Sequence, residues 1–211
     1  GLLDAVKIRQ LPLDEIFPLV AKAVFDVVFS ATVLLCLLPI LTFIALLIKL
    51  DSPGPVFYRP LRSGARGNLF RIYKFRTMYE ADASGTLSTV KNDPRITKLG
   101  SKLRKYNLDE LPQFLNVLLG DMSVVGPRPH RNFLNQQMKE HAEKYMLRYY
   151  FRPGITGWAQ VNGWRGPTET ELQITQRTAH DLWYIEHWSF ALDLKIVWMT
   201  IFGNKTHLNA F

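Results

Sequence analysis

The stretch VVFSATVLLCLLPILTFIALLIKL, residues 27–50, decides the fold. It contains no charged residue from Val27 to Ile48. About 20 apolar residues at 1.5 Å each are enough to cross the hydrocarbon core of a bilayer. The stretch therefore predicts a membrane helix, and the alternative is a helix fully buried in a soluble core.

The flanks of this stretch predict how the helix sits in the membrane. Pro39 lies near its middle, where proline removes a helix hydrogen bond and bends or breaks the helix. Basic residues stand on both sides: Lys7, Arg9 and Lys22 before it, and Lys49, Arg59, Arg62 and Arg66 after it. Because positive charge is retained on the cytoplasmic side, we predict a re-entrant helix bent near Pro39. A tilted helix that spans the membrane is the alternative.

Composition and charge restrict the class of protein. The 211 residues are 47% hydrophobic, enough for one domain with a substantial core. The formal charge of +8 favours acidic partners such as phosphates, nucleic acid or anionic lipid. The single cysteine, Cys36, excludes an internal disulfide, and no two of the five histidines have the spacing of a zinc site.

Residues 51–211 have the pattern of a mixed domain. VFYRP and LFRIYKF predict two short strands around a Gly-rich turn, residues 63–68. Helices are predicted over residues 99–106, 108–119, 138–150 and 171–187, and the last apolar stretch, 188–203, predicts a membrane-surface or core helix. The apolar stripe in residues 1–20 predicts an amphipathic segment on the membrane or on the core.

The predicted fold is therefore α+β. It is a mostly helical compact domain with a small β-hairpin, a re-entrant membrane helix and amphipathic membrane-surface helices. Residues 1–50 form the N-terminal segment and the membrane helix. Residues 51–211 form the domain on the cytoplasmic face, which makes a single structural unit with that helix.

The adjacent acids Asp109 and Glu110 in LDELPQFLNVLLG can be interpreted in two ways. If a helix begins near Asp109, Pro112 falls in its first turn, Asp109 is the N-cap and Glu110 is the first helical residue. Alternatively, the pair belongs to a phosphate site, where carboxylates hold Mg²⁺ or one of them attacks phosphorus. Basic side chains close to it in sequence or in the predicted hairpin favour the second interpretation: Lys74, Arg76, Lys102, Arg104, Lys105 and Arg128.

Six blocks of the sequence, in order, resemble one known family. They are SPGPVFYRPLRSG, YKFRTM, NDPRITKLG, LDELPQFLNVLLGDMSVVGPRP, RPGITGWAQVNGWRG and DLWYIEHWS. The chain resembles the bacterial sugar transferases, the monotopic phosphoglycosyl transferases that start glycan assembly on polyprenyl phosphate. Its GWAQVNGWRG block most resembles the subgroup that transfers glucose 1-phosphate from UDP-glucose.

The resemblance implies a two-step reaction. Asp109 matches the nucleophile that attacks the sugar-linked phosphate of a UDP-sugar, expels UMP and retains the phosphosugar. Undecaprenyl phosphate then accepts the phosphosugar. Glu110 matches the residue that binds Mg²⁺, the implied cofactor.

The resemblance also implies further site residues and a location. Arg104 and Arg128 hold phosphate, and Lys74 and Arg76 match basic positions near the site. Possible nucleotide or sugar contacts are Gln160, Asn162, Arg165 and Asp181. The expected location is the cytoplasmic face of the bacterial inner membrane, where the protein contacts membrane lipid. A homo-oligomer is a further possible partnership. One departure is Leu38-Pro39, where the family often has Ser-Pro at the helix break.

Three alternatives stay open. The sugar could be galactose or an N-acetylated sugar, or the protein could be a non-catalytic membrane scaffold. A nucleic-acid-binding module would use the positive charge but would leave the segment from Val27 to Ile48 unexplained, so no nucleic-acid partner is expected.

Overall fold

The computed structural model describes residues 12–79, 93–129, 145–165 and 170–203. The α-helices of this part are α1 (Ile16–Asp51), α2 (Lys98–Lys105), α3 (Gln113–Leu118), α4 (Trp158–Val161), α5 (Glu171–Glu186) and α6 (Phe190–Phe202). The strands are β1 (Phe57–Tyr58), β2 (Leu61–Ser63), β3 (Leu69–Arg71), β4 (Lys74–Phe75), β5 (Ser123–Val125) and β6 (Gly154–Thr156). The predicted mixture of many helices and a few short strands is thus confirmed. The predicted stripe in residues 1–11 and most of the helix predicted over 138–150 lie outside the described residues.

Helix α1 is a single helix of 36 residues that continues through Pro39. It is long and apolar enough to cross a membrane. The sequence predicted a re-entrant helix bent near Pro39. The helix is continuous through this residue, and the return of the chain to one face of a bilayer stays a prediction.

Both ends of α1 pack against the rest of the chain, while its middle does not. Near the N-terminal end, Lys22, Asp26 and Ser30 are buried, and near the C-terminal end Ile44 and Ile48 are buried. The side chains between these ends are largely exposed, among them Leu35, Leu38, Ile40 and Phe43. An apolar surface of this kind in the middle of a helix needs a partner other than water.

The predicted hairpin is confirmed. Strand β2 pairs antiparallel with β3, and β1 pairs antiparallel with β4, so one ribbon runs from residue 57 to residue 75. Its turn contains Arg66 and Gly67, both with positive φ. The far end of the ribbon carries Lys74 to the acid pair.

The single helix predicted over residues 108–119 is divided in two. A 3₁₀ turn covers Leu108–Glu110, and α3 begins only at Gln113, with Pro112 at its N-cap position. The interpretation of Asp109 as the N-cap of this helix is therefore wrong. Proline tolerates the first positions of a helix but has no N–H to continue an earlier one, which is consistent with the new start. Gly120, with φ of 83°, ends the helix as predicted.

The sequence patterns did not predict the parallel pair β5 and β6, which brings together two distant segments. Gly126 directly follows β5, Gly154 is the first residue of β6, and their backbones lie in close contact. A Cβ atom built on either glycine would collide with the backbone of the opposite segment. These glycines therefore let the chain after β5, which contains Arg128, lie close against the chain around β6.

Two apolar clusters support these elements. The larger joins β5, α5 and α6 through residues such as Val125, Tyr184 and Ile196, and Phe25 and Phe29 of α1 pack on it. The smaller joins Ile44 and Ile48 of α1 to β4 and α2 through Phe75 and Leu103. The predicted helices at 99–106, 171–187 and within 188–203 are confirmed as α2, α5 and α6.

Candidate active site

The acid pair stands on a tight turn between α2 and α3. Asn107 has a left-handed backbone, with φ of 57°, a conformation that asparagine tolerates better than most residues. The 3₁₀ turn that follows holds Asp109 and Glu110 in buried positions, with 9% and 7% of their surfaces exposed. Two adjacent carboxyl groups with so little solvent need compensating charge.

Glu110 receives that charge from three separate segments. Lys74 Nζ lies 2.8 Å from Glu110 Oε1, and Arg128 donates to the same oxygen at 2.6 Å and to Oε2 at 3.3 Å. Arg165 donates to Oε2 at 3.2 Å. We call Glu110, Lys74, Arg128 and Arg165 the Glu110 cluster.

The electrostatics of Glu110 follow from these contacts. Burial alone would raise the pKa of Glu110, but the charges of Arg128, Lys74 and Arg165 outweigh it and hold the pKa well below its ordinary value. Glu110 therefore stays ionised and acts as a fixed anchor for three cations.

Asp109 has a different environment, although it is the next residue. It takes part in none of the ion pairs of the Glu110 cluster. Burial raises the pKa of Asp109, the Lys74 charge opposes this, and the neighbouring Glu110 charge raises it further. Its carboxylate is thus poorly compensated when ionised, as expected for a group that reacts rather than one that supports the fold.

Arg104 and Arg76 have separate contacts. Arg104 donates to Thr77 Oγ1 at 2.9 Å, and its positive charge acts on Asp109. Arg76 donates to the carbonyls of Ile48, Ser52 and Pro53 at the C-terminal end of α1. The geometry thus gives Arg76 a helix-capping contact and does not support its predicted role in phosphate binding.

Three of the four residues predicted to contact the nucleotide or sugar instead bind other parts of the fold, away from the acid pair. Gln160 donates to the Ile155 carbonyl at 3.1 Å, and Asn162 donates to the Trp158 carbonyl at 2.8 Å, so both stabilise local turns. Asp181 is only 2% exposed and forms an ion pair with Arg148 at 2.7 Å. Of these four residues, only Arg165 reaches the acid pair.

The predicted magnesium role of Glu110 does not fit this arrangement. Both carboxylate oxygens already accept from cations, so a metal ion bound there would have to displace at least one of them. Within the described ranges, no group of three or more His, Cys, Asp and Glu side chains could hold a metal ion. The magnesium requirement implied by the resemblance stays a prediction, and no step is derived through it.

The arrangement suits an anion that carries several charges. Lys74 and Arg128 keep 19% and 22% of their side-chain surfaces exposed, so solvent and ligands reach them. Arginine forks and a lysine ammonium are the usual partners of phosphate oxygens. The Glu110 cluster can therefore hold a diphosphate beside the carboxylate of Asp109.

Two buried arginines that contact the segments of Arg128 and Arg165 had no role predicted from the sequence: Arg148 and Arg177. Arg177 could have been noticed because it stands four residues before Asp181 on a predicted helix, the spacing of an ion pair. Arg148 lacked a comparable signal, since its partner Asp181 is far away in sequence.

Comparison with known proteins agrees with the resemblance. The model of the bacterial sugar transferase family matches residues 17–206, and the chain belongs to this family. The UDP-glucose:undecaprenyl-phosphate glucose-1-phosphate transferase of Escherichia coli (strain K12) is 48% identical over 208 residues, which cover 98% of this chain and 44% of that protein. The chain thus spans less than half the length of this relative.

Two other relatives differ from the first, one in length and one in the sugar that its name states. The exopolysaccharide production protein PSS of Rhizobium leguminosarum bv. phaseoli is 46% identical over 198 residues, which cover 92% of this chain and 99% of that protein. The UDP-N-acetylgalactosamine-undecaprenyl-phosphate N-acetylgalactosaminephosphotransferase of Aeromonas hydrophila is 43% identical over 176 residues, which cover 82% of this chain and 40% of that protein. The identity to the relative named for glucose is thus only slightly higher than the identity to the relative named for N-acetylgalactosamine.

Proposed function

We propose that this protein transfers a hexose 1-phosphate, glucose 1-phosphate in the first instance, from a UDP-sugar to undecaprenyl phosphate. The observation that carries the proposal is a buried carboxylate, Asp109, which forms no ion pair of its own among the described residues and lies beside three cations anchored on Glu110. The names of the similar proteins supply the two substrates. The product would be a lipid diphosphate sugar for glycan or exopolysaccharide assembly.

The reaction has two displacements at the same phosphorus atom. An oxygen of Asp109 attacks the sugar-linked phosphate, the bond to the bridging oxygen breaks, and that oxygen leaves with UMP. An oxygen of undecaprenyl phosphate then attacks the phosphorus of the aspartyl-phosphosugar, which restores the Asp109 carboxylate. Covalent catalysis of this kind divides one difficult transfer into two easier ones.

The cations have distinct tasks in this scheme. Lys74, Arg128 and Arg165 neutralise the diphosphate and the charge that develops on the leaving UMP oxygen. Arg104 acts on the other side, where its charge favours the ionised form of Asp109. Glu110 keeps three like charges together before the substrate arrives.

The contacts of α1 support a site at the membrane surface. Lys22 contacts Asp193 at 2.7 Å, and Ile48 packs in the same small cluster as Phe75 and Leu103, so both ends of the helix contact one domain. A helix that crossed the membrane would have its ends separated by a hydrocarbon core about 30 Å thick. This argues for a helix that enters and returns on one face of the membrane, and the basic residues on both flanks favour the cytoplasmic face.

A panel of UDP-sugars tests the proposal. Full-length protein in lipid nanodiscs is given undecaprenyl phosphate and, separately, UDP-glucose, UDP-galactose, UDP-N-acetylglucosamine or UDP-N-acetylgalactosamine. We expect UMP and a lipid-linked product with UDP-glucose, and a much lower rate with the others. Preference for an N-acetylated sugar would change the substrate only, whereas no UMP from any donor would favour the non-catalytic scaffold.

A further inference from the structure

Asp181 on α5 lies at the centre of a second charged assembly, behind the active site. Its Oδ2 lies 2.7 Å from an Arg148 guanidinium nitrogen, and the side chains of the pair are 2% and 5% exposed. Arg177, one helical turn earlier, is also buried. Burial raises the pKa of Asp181, while the positive charges of Arg148 and Arg177 favour its ionised form.

Arg148 connects this assembly to one arginine of the active site. It donates to the backbone carbonyl of Arg128 at 2.9 Å. The Arg128 side chain donates to Glu110 at 2.6 Å. The backbone of Arg128 is thus held by the same arginine that pairs with Asp181.

Arg177 makes an equivalent connection to the other arginine. Its Nε donates to the Trp164 carbonyl at 2.9 Å. Trp164 directly precedes Arg165, which donates to Glu110 at 3.2 Å. The two segments that carry arginines to Glu110 are therefore each held through one backbone carbonyl. Of the two holding arginines, Arg148 forms an ion pair with Asp181, and the charge of Arg177 acts on the same carboxylate.

We infer that Asp181, Arg148 and Arg177 are positioning residues that set where Arg128 and Arg165 present their guanidinium groups to the phosphates of the sugar donor. This inference rests on the proposed function, because it assigns the two arginines to donor phosphate. It replaces the nucleotide or sugar contact predicted for Asp181, whose buried carboxylate faces Arg148. We call these three residues the brace.

The geometry of arginine suits the brace. A guanidinium presents its donors in fixed directions: Nη2 of Arg148 contacts both the Asp181 carboxylate and the Arg128 carbonyl, and Nε of Arg177 donates to the Trp164 carbonyl. A lysine ammonium on a flexible stem holds such fixed partners less precisely. Arg148→Lys and Arg177→Lys therefore keep a positive charge near Asp181 and weaken the contact with the active-site segment. A displacement of about 1 Å at a phosphate-binding group costs on the order of a hundredfold in rate.

Double-mutant cycles on the full chain in nanodiscs test the brace. Arg148→Lys is combined with Arg128→Met, and Arg177→Lys with Arg165→Met. The crossed pairs, Arg148→Lys with Arg165→Met and Arg177→Lys with Arg128→Met, are the matched controls. For each variant we measure the UMP release rate without lipid acceptor, the Kd for UDP-glucose by calorimetry, and Tm.

We expect each lysine variant alone to slow UMP release and weaken UDP-glucose binding by about tenfold. In the matched pairs this effect should disappear, because the arginine that the brace positions is already gone. In the crossed pairs the two effects should come much closer to multiplying than in the matched pairs, because the arginine that the lysine variant displaces is still present; some coupling is expected because Arg128 and Arg165 share Glu110. The calorimetric Kd keeps the cycle measurable if Arg128→Met abolishes turnover.

The outcomes separate the brace from the proposed function. Equal multiplication in matched and crossed pairs would overturn the brace and make Asp181 a purely structural anion, even with normal UMP release in the wild type. A lower Tm with unchanged UMP release and unchanged Kd in both lysine variants would also overturn it. A wild type that binds UDP-glucose but releases no UMP would contradict the covalent step, while the Kd cycle would still decide the brace.

Discussion

The Glu110 cluster and the charges around Asp193 are both buried, yet they carry opposite excess charge. At Glu110, three cations surround one carboxylate. At Asp193, one cation, Lys22, lies between two carboxylates, 2.7 Å from Asp193 and 3.9 Å from Asp26. The first group is open to solvent at Lys74 and Arg128, whereas the Asp193 side chain is fully buried.

The hydrogen bonds of the two groups differ in the same direction. Asp193 also accepts from Tyr184 Oη at 2.7 Å and from Trp188 Nε1 at 3.2 Å, and Asp26 accepts from Ser123 Oγ and the Val124 backbone. Neutral hydrogen-bond donors there stabilise the two carboxylates together with the single lysine, and the bonds to Asp26 connect α1 to the domain. Positive charge in excess of what the fold needs, as at Glu110, indicates that an anion from solution completes the group.

The largest effect is expected from Asp109→Asn, which should abolish UMP release. A neutral amide cannot form the acyl phosphate. Burial raises the pKa of Asp109, so above the unfolded pKa the ionised carboxylate destabilises the folded protein relative to the unfolded chain. The substitution should therefore leave Tm unchanged or raise it. Thermal unfolding and a UMP assay on the same sample check both statements, and normal turnover in the variant would contradict the nucleophilic role.

Glu110→Gln should reduce both activity and stability. It leaves three buried like charges without their shared partner, which costs about 3–5 kcal/mol in free energy of unfolding, and should slow UMP release by about a hundredfold. The pKa of Glu110 is depressed, so its stabilising contribution is present above its unfolded pKa and is lost as pH falls through the folded pKa. The stability difference between wild type and variant should therefore narrow in acid.

A magnesium titration of Glu110→Gln distinguishes a cation anchor from a metal ligand. An anchor predicts that the Mg²⁺ concentration for half-maximal activity is the same in variant and wild type. A large increase in that concentration would restore the metal-binding role implied by the resemblance. Glu171→Gln, at an exposed residue in the first turn of α5, is the matched control. It should change neither the activity nor the Mg²⁺ concentration for half-maximal activity.

Asp193→Asn should have the opposite profile. It removes the anionic partner of buried Lys22 and should lower the free energy of unfolding by about 3–5 kcal/mol. UMP release per folded molecule should stay within about twofold of wild type, because the Asp193 group contains none of the residues assigned to donor binding. A hundredfold loss of UMP release in folded Asp193→Asn would remove the distinction between the two groups.

The smallest effect concerns pH. The rate of UMP release should fall as acid protonates Asp109, and the raised pKa of Asp109 places this fall above the ordinary range of aspartate. Arg104→Met removes a charge that lowers the pKa of Asp109, so the acid limb should move to higher pH. Rapid-quench measurements at a series of pH values check the shift, and an unmoved limb would exclude Arg104 from the environment of Asp109.

The sequence predicted elements whose causes are local. The uncharged run of α1, the hairpin around residues 63–68 and the stop at Gly120 each depend on neighbouring residues, and all three are present. The sequence also identified the acid pair and three of its cations, Lys74, Arg128 and Arg165. Their roles came from the resemblance to the family.

What the sequence missed depends on contacts between distant segments. Arg76 stands two residues after Lys74, just past the ribbon, but its guanidinium donates to carbonyls at the end of α1, a partner that no local pattern predicts. The parallel pairing of β5 with β6 and the pair of Arg148 with Asp181 join residues about 30 positions apart in the chain. A local prediction also failed at Pro112. Leucine spacing predicted one helix over residues 108–119, but a new helix begins after this proline.

The intact mass of the wild-type protein incubated with UDP-glucose, without any lipid acceptor, tests the central claim most directly. We predict that the protein gains the mass of one hexose phosphate, that an equal amount of UMP appears, and that peptide mapping places the adduct on Asp109. Adding undecaprenyl phosphate should remove the adduct and yield the lipid-linked sugar. An unmodified protein that releases UMP only when lipid is present would contradict the covalent mechanism, and Asp109 would not be the nucleophile.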